Sequence, residues 1–397
     1  MSSNSSDHQN EEDEAKGTKS KSGDSFPPRH SHTFIGSTFA IWSLIFLLFA
    51  AFASLQYYLP KAASSCLCPA AEFGRLTAQR AYNDSSFGNP KILPDGRIEY
   101  ELAVVSDLDH DSKMEDRKET WRSFFRRGRL LFRPDIPSVQ VQWAKDKQDN
   151  TLYSQLSSGG RAMELSELCV YDGHLLTVDD RTGVVYRMDN FKDMVPWVLL
   201  NDGPGNATKG FKGEWMSVRH NLLYVGGLGK EWTSVTGEFI NYNPMYVKSD
   251  FHNFMWSIPM AKGKIGIDFP GYMIHESGQW SDIHKKWFFL PRRASNDTYS
   301  ETEDEHMGTN LLLIADEDFE HIQVRHIGPP GDGFRGFSAF QFLPNTEDDI
   351  IVAIKSEERG GKPIASYLFV FRLSDGHVLL DDQKFDGPYK FEGIVVY

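Results

Sequence analysis

One recurring unit limits what this 397-residue chain can fold into more than any single motif does. Ser166-Glu167 is followed by LCVYDGHLLTVDD, Glu214 by WMSVRHNLLYVGG, Glu276 by SGQWSDIHKKWFFLP, Ser338 by AFQFLPNTEDDIIVAI and Glu392 by GIVVY. Each unit is a small or acidic residue, an apolar strand, a polar turn and a second apolar strand. The landmarks 167, 214, 276, 338 and 392 lie 47, 62, 62 and 54 residues apart. Periods of this size belong to solenoids, propellers or arrays, and a four-stranded propeller blade takes about 40–45 residues plus loops. The units are too long and uneven for a solenoid. The fifth has one strand left, so its partners are expected from the start of the domain, where Ile98 to Ser106 (IEYELAVVS) reads as a strand. Pairing first and last strands closes a ring and removes its open edges. The expected fold is therefore all-β, a five-bladed β-propeller over 96–397. Only one short helix is expected, near Glu115 to Arg126.

The innermost strand of each blade lines the axis, so one position repeated in every blade comes round at similar depth. Glu167, Glu214, Glu276, Ser338 and Glu392 are expected to face one another there. Crowded carboxylates repel and take up protons unless a cation binds. Ca²⁺ takes six to eight hard oxygen ligands, and Ser166 and Ser338 add oxygens to the four carboxylates. A net charge of −13 suits a cation-handling protein and leaves no basic excess for nucleic acid.

Ahead of the ring domain, Phe34 to Leu55 is an uncharged, mostly apolar run, long enough for a transmembrane helix of about 20 residues. Lys16, Lys19, Lys21 and Arg29 precede it, and fewer basic residues follow it. The positive-inside rule puts residues 1–33 in the cytosol as a disordered tail, 34–55 in the membrane and 56–95 in the lumen as a stalk. A cleaved signal peptide ending at Ala51-Phe52-Ala53 is the competing reading, but its apolar core would be shorter. The topology is type II, with the endoplasmic reticulum, Golgi or cell surface as candidate locations and a membrane as one partner. Sequons at Asn83, Asn206 and Asn296 suit a secretory lumen. Cys66 and Cys68 either link two chains into a homodimer or are unpaired, and Cys169 reads as a buried hydrophobe.

Two acidic turns follow strands. Asp107-Leu108-Asp109-His110-Asp111 begins like an EF-hand loop, but Ser112 and Lys118 stand where that loop needs Gly and Glu. A glycosyltransferase would use Asp107-Leu108-Asp109 to hold a metal and a nucleotide, although that fold alternates strands with helices. The second turn is Asp179-Asp180-Arg181-Thr182-Gly183. No phosphate loop is present: Gly229-Lys230 is followed by Glu231. Lys230, Arg292 and Arg293 follow strands and are candidates to reach phosphate oxygens.

The stretches VVSDLD, GRAMELSEL, LLTVDDRTGVVY, FKGEW, LYVGGLGKEWT, PGYMIHES, WFFLPRRAS, GFSAFQFLPNT, IIVAIKSEE and KFEGI, in that order, strongly resemble the calcium-activated nucleotidases. The resemblance runs from about Ile98 to Tyr397. It implies a five-bladed propeller, an axial Ca²⁺ and hydrolysis of nucleoside diphosphates, with UDP and GDP preferred over ADP and ATP in vertebrate members. It implies calcium ligands at Ser166, Glu167, Glu214, Glu276, Ser338 and Glu392, and active-site acids at Asp107 and Asp180. Some members carry Asp where this chain has Glu167. The stretch before PGYMIHES departs from the vertebrate pattern. On this basis Asp107 or Asp180 positions the attacking water, while Arg181, Arg292 and Arg293 hold phosphate. A Ca²⁺-binding propeller without catalysis is the remaining alternative.

Overall fold

A computed structural model describes residue 83 and residues 87–144, 150–249, 252–255 and 266–397. Residues 1–33, the apolar run 34–55, Cys66, Cys68 and most of residues 56–95 lie outside these residues, and with them the expectations about membrane, homodimer and topology.

The architecture is the expected closed ring of five antiparallel sheets. Blade 1 comprises Leu165–Tyr171, His174–Asp179, Val184–Asp189 and Asp193–Leu199, and blade 2 comprises Trp215–Arg219, Leu222–Gly226, Tyr246–Ser249 and His252–Met255. Blade 3 comprises Gly278–Ser281, Lys286–Phe289, Leu311–Ala315 and Ile322–His326, and blade 4 comprises Arg335–Phe342, Ile350–Arg359, Lys362–Arg372 and Val378–Lys384. Blade 5 joins the two ends of the domain: Lys390–Val396 is its inner strand, followed outward by Ile98–Asp107, Trp121–Arg133 and Ser138–Trp143. Closure runs in antiparallel register from Leu102 opposite Val396 to Asp107 opposite Lys390. Backbone bonds from Glu101 N to Tyr397 O (2.8 Å) and from Tyr397 N to Glu101 O (3.0 Å) extend it.

The strands are apolar on both faces because each sheet is covered on both sides. In Ile98–Asp107, Tyr100, Leu102 and Val104 enter the core shared with blade 4, while the alternate residues Ala103 and Val105 enter the core shared with blade 1. Further apolar clusters fill the interfaces of blades 1 and 2, 2 and 3, and 3 and 4, one cluster for each junction of a five-membered ring. At the junction of blades 2 and 3, Trp215 packs edge-on against Trp287, ring centroids 6.1 Å apart. Any side chain at Gly226 would meet the Trp215 ring at 2.0 Å, so that position must stay bare.

The unequal spacing of the units has a local cause. Blade 2 carries an excursion between its second and third strands, with its own small hairpin of Trp232–Thr233 and Phe239–Asn241. Blade 3 carries another, where Arg293–Ser295 pairs with Tyr272–Ile274. The short helix expected near Glu115 to Arg126 is not formed: residues 115–120 are turn, and Trp121–Arg133 is a strand. Its Trp121, Ser123 and Phe125 are buried in alternation with half-buried neighbours, which is the period of a strand. The domain also begins before residue 96, since Phe87 packs edge-on against Phe191 and Tyr397, both at 5.7 Å, and Lys91–Ile92 pairs with Ile98 and Glu99. Cys169 is buried and free, and Asn206 and Asn296 stand exposed on loops.

Candidate metal and catalytic site

Two positions in each blade deliver residues to one end of the axis: the start of the inner strand and the end of the second strand, which are neighbours in an antiparallel pair. The inner-strand starts supply the ring residues. Three of them sit on bulges, where an extra residue re-aims the side chain. Glu167 lies in the irregularity between Ser166 and Cys169, Ser338 in that between Phe337 and Ala339, and Glu392 in that opposite Val105 and Ser106. Glu167 has φ 56°, a left-handed conformation uncommon outside glycine. Gly393 makes room for it, because a Cβ there would lie 2.6 Å from the Glu167 carbonyl carbon. Glu214 and Glu276 just precede their strands. All six expected ligands, Ser166 included, are buried.

Four of the six form one group. The Ser166 hydroxyl donates to Glu392 Oε2 at 3.2 Å, and Arg292 Nη1 spans Glu276 Oε2 (2.5 Å) and Glu392 Oε1 (3.1 Å). Burial, then the charges of Asp180 and Glu276, push the Glu214 carboxyl up to about 7 against the opposing Lys212. Ser338 Oγ donates to the Phe391 carbonyl at 2.8 Å, next to Glu392 in the chain. The Glu167 carboxylate instead accepts from Leu168 N (3.1 Å) and Gln279 Nε2 (3.4 Å), and burial raises it well above the usual carboxylate range.

The second-strand ends supply the surrounding charges. Asp107 ends that strand in blade 5, Asp180 follows it in blade 1, Arg292 follows it in blade 3 and Glu358 lies at its end in blade 4. Salt bridges thread these residues into one chain around the mouth. Lys212 joins Glu214 (2.8 Å) to Asp180. Arg181 lies 3.9 Å from Asp180 and 2.7 Å from Glu164, which Arg161 (2.6 Å) links to Asp109 (3.2 Å). Lys390 then gathers Asp109 (3.3 Å), Asp107 (2.8 Å), Glu358 (3.4 Å) and Glu392 (3.1 Å), and Arg292 closes on Glu358, Glu392 and Glu276.

In that chain, among the described residues, Asp107, Asp109, Glu164, Asp180, Glu214, Glu276, Glu358 and Glu392 form salt bridges with Arg161, Arg181, Lys212, Arg292 and Lys390. Carboxylates outnumber cations, and Glu167 adds to the surplus. Buried charge in excess is unfavourable without a further cation. Burial raises Asp107 and Glu392 well above the ordinary range even beside Lys390. The oxygen-rich ring of Ser166, Glu214, Glu276 and Glu392 therefore fits a hard divalent ion such as Ca²⁺. Asp107, Asp109 and Glu164 also bring ligand atoms within 4.8 Å of one another and form a second candidate metal-holding group, touched by Lys390 and Arg161 as the ring is touched by Lys212, Arg292 and Lys390.

The expected catalytic residues differ in what they leave open. Asp107 is committed on both oxygens: Oδ1 accepts from Asp109 N (2.7 Å) and Oδ2 from Lys390 (2.8 Å). Asp180 Oδ1 is buried and accepts no hydrogen bond among the described residues. Arg181 is partly exposed at the mouth, as is Arg161. Arg292 is buried and taken by three carboxylates, and Arg293 turns its guanidinium to the carbonyls of Gly333 (3.4 Å) and Phe334 (3.3 Å). Lys230 is buried, with its ammonium 3.0 Å from Thr233 Oγ1 and 4.2 Å from the centre of the Tyr299 ring.

Sequence reasoning missed Arg161, Glu164, Lys212, Glu358 and Lys390. Glu164, Lys212 and Lys390 each stand two residues before a ring position, at Ser166, Glu214 and Glu392, but the residue type there does not recur from blade to blade, so no pattern marked them.

A family model described as Apyrase matches residues 108–397. The apyrase apy-1 of Caenorhabditis elegans is 45% identical over 357 residues, covering 88% of this chain and 96% of that protein. The soluble calcium-activated nucleotidase 1 of Rattus norvegicus is 48% identical over 329 residues, covering 81% of this chain and 80% of that protein. An apyrase of Cimex lectularius is 40% identical over 305 residues, covering 75% of this chain and 82% of that protein.

Proposed function

The chain belongs to the apyrase family of nucleotide-hydrolysing enzymes, and from that premise we propose that it cleaves the terminal phosphate from nucleoside diphosphates in a Ca²⁺-dependent reaction. UDP and GDP are the expected substrates, with ADP and ATP as weaker ones. The observation that carries the calcium requirement is the surplus of buried carboxylates at the axis, which the five cations of the mouth do not balance. The name of the rat relative, a calcium-activated nucleotidase, points the same way.

Ser166, Glu214, Glu276 and Glu392 would hold the ion, with Ser338 and Glu167 shaping the same ring. Bound there, Ca²⁺ would supply positive charge against the phosphate oxygens. Asp180 is the residue best placed to accept the proton of the attacking water, because its Oδ1 is buried and accepts no hydrogen bond among the described residues. Asp107, fully committed to Lys390 and to Asp109 N, positions rather than accepts. Arg181 and Arg161, partly exposed at the mouth, would draw in the diphosphate. Arg292 and Arg293, with their guanidiniums engaged, would act as supports rather than as phosphate ligands.

The glycosyltransferase alternative loses its ground: the described residues carry no alternation of strands and helices, and Asp107 and Asp109 are both bound by Lys390. For location we propose a type II membrane protein of the endoplasmic reticulum or Golgi with a lumenal catalytic domain. The apolar run 34–55 and the exposed sequon asparagines Asn206 and Asn296 support this. Protease protection of intact microsomes tests it.

Phosphate release from UDP, GDP, ADP and ATP, with Ca²⁺ and with a chelator, tests the activity. Release from the diphosphates that stops on chelation is expected. A chain that binds Ca²⁺ but releases no phosphate would be a binding propeller and would overturn the assignment.

A further inference from the structure

We propose that Lys212 and Lys390 are positioning residues that couple the cation-binding ring to the two aspartates. The inference rests on the calcium-dependent hydrolysis argued above, and it concerns side chains that neither the sequence motifs nor the family resemblance singled out.

The two lysines repeat one arrangement in different blades. Each stands two residues before a ring glutamate on its own chain segment, Lys212 before Glu214 and Lys390 before Glu392. Each ammonium touches that glutamate: Lys212 Nζ lies 2.8 Å from Glu214 Oε1, and Lys390 Nζ lies 3.1 Å from Glu392 Oε1. Each also binds an aspartate at the end of a second strand. Lys212 reaches across to Asp180 of blade 1, and Lys390 reaches Asp107 within blade 5 at 2.8 Å. An ammonium has three donors and no acceptor, so one group can hold both carboxylates at once.

Such a bridge acts on its two ends with opposite sign. At the aspartate it fixes orientation, so its loss leaves the carboxylate mispositioned for catalysis. At the glutamate it places positive charge beside the cation site, where it opposes a divalent ion and occupies one of its ligands. Its loss makes the ring more negative and frees that ligand. Loss of a calcium ligand weakens both functions and loss of a catalytic aspartate lowers turnover alone, whereas loss of a coupling lysine moves the two in opposite directions.

The experiment uses the full chain with Lys212→Met and Lys390→Met, which keep length and remove charge. Calcium affinity is read by titration calorimetry with CaCl₂, and UDP hydrolysis is measured at saturating Ca²⁺. Calcium is expected to bind about tenfold tighter to each variant, equivalent to about 1.4 kcal/mol. Turnover is expected to fall at least tenfold with KM unchanged, and Lys212→Arg and Lys390→Arg are expected to restore part of it. Unchanged or weaker calcium binding overturns the proposal. A raised KM with unchanged kcat also overturns it, since the lysines would then be phosphate ligands. Should the methionine variants fail to fold, Lys212→Gln and Lys390→Gln carry the same measurements. A wild-type chain that takes up no calcium, or hydrolyses no nucleotide, overturns the assigned function itself and is distinguished by that control.

Discussion

Charge is handled in opposite ways at the axis and at the outer edges of the blades. At the axis, pairs join residues far apart in sequence: Lys390 with Asp107, Arg292 with Glu392, Lys212 with Asp180. They are buried, and each cation serves at least two carboxylates. At the edges, Arg187 pairs with Asp189, Lys285 with Asp282 and Arg372 with Asp375, all within three residues and from about one third to two thirds exposed. Desolvating an ion is costly, and a buried pair often stabilises no better than apolar residues of the same shape. The axis is therefore a poor device for stability, and its retention there marks a place where charge is needed for chemistry. The edge pairs carry no such signal.

The largest consequence of that contrast concerns turnover. Asp180→Asn keeps the shape of the side chain and removes its basicity, so UDP hydrolysis should fall by about 10²–10⁴-fold, the usual share of a general base. Asp107→Asn should cost less, because Asp107 acts through Lys390 and Asp109. Calcium binding, read by calorimetry, should survive both. Full activity in both variants would remove these residues from the reaction.

Next in size is Arg292→Gln. It leaves Glu276, Glu358 and Glu392 sharing one cation fewer in a buried site. Breaking a buried pair by removing one partner destabilises by about 3–5 kcal/mol, which urea unfolding in a chelator would resolve. Added Ca²⁺ should recover more stability in this variant than in the wild type, since the ring has become more negative. A loss equally large with and without Ca²⁺ would mean that Arg292 serves packing and not the charge balance of the ring.

How much of this was visible in the sequence depends on the scale of the pattern. Five landmarks each followed by an apolar strand, together with the orphan strand at Glu392, were enough for a closed five-bladed ring, because blade closure follows from strand count and edge avoidance. The ring acids were visible because they recur. The bridging cations were not, because they do not recur: two residues before the landmark stand Lys212 and Lys390 in two blades, but Ile274 and Gly336 in two others. Gly336 is bare for a reason only three dimensions show, since a Cβ there would meet the Arg292 carbonyl oxygen at 2.1 Å. The expected helix near Glu115 to Arg126 did not form because burial on alternate residues from Trp121 onward makes a strand.

The pH dependence of stability follows from the same buried charges and is smaller. Asp179 lies beneath Asp180, where burial, and then the neighbouring Asp180 charge, push its carboxyl up to about 7 despite bonds from Met163 N, Arg181 N and Thr182 Oγ1. Its folded pKa stands above the ordinary value of about 4, so the proton favours the folded state. That contribution is complete below about pH 4 and is lost as pH rises through about 7. Glu358 has the reverse sign: burial raises it, but Lys390 and Arg292 outweigh that and bring it down to about 2. Its contribution is present above about pH 4 and is lost as pH falls through about 2. Calcium-free protein should therefore be most stable near pH 5 and lose stability steadily to pH 8, as measured by urea midpoints. A midpoint that rose over this interval would mean that Asp179 is ionised and fully compensated in the fold.

The smallest effect belongs to the edges. Lys285 and Asp282 approach within 3.2 Å, but their side chains are 66% and 65% exposed. In water and salt such a pair gains little attraction and gives up side-chain freedom to form, so many contribute nothing measurable. Lys285→Ala should leave both the urea midpoint and UDP turnover where they were. Against Lys390→Met, which removes the same ammonium group from a buried position, it isolates environment as the variable. A midpoint shift of similar size in both would show that charge count, and not burial beside the ring, governs these lysines.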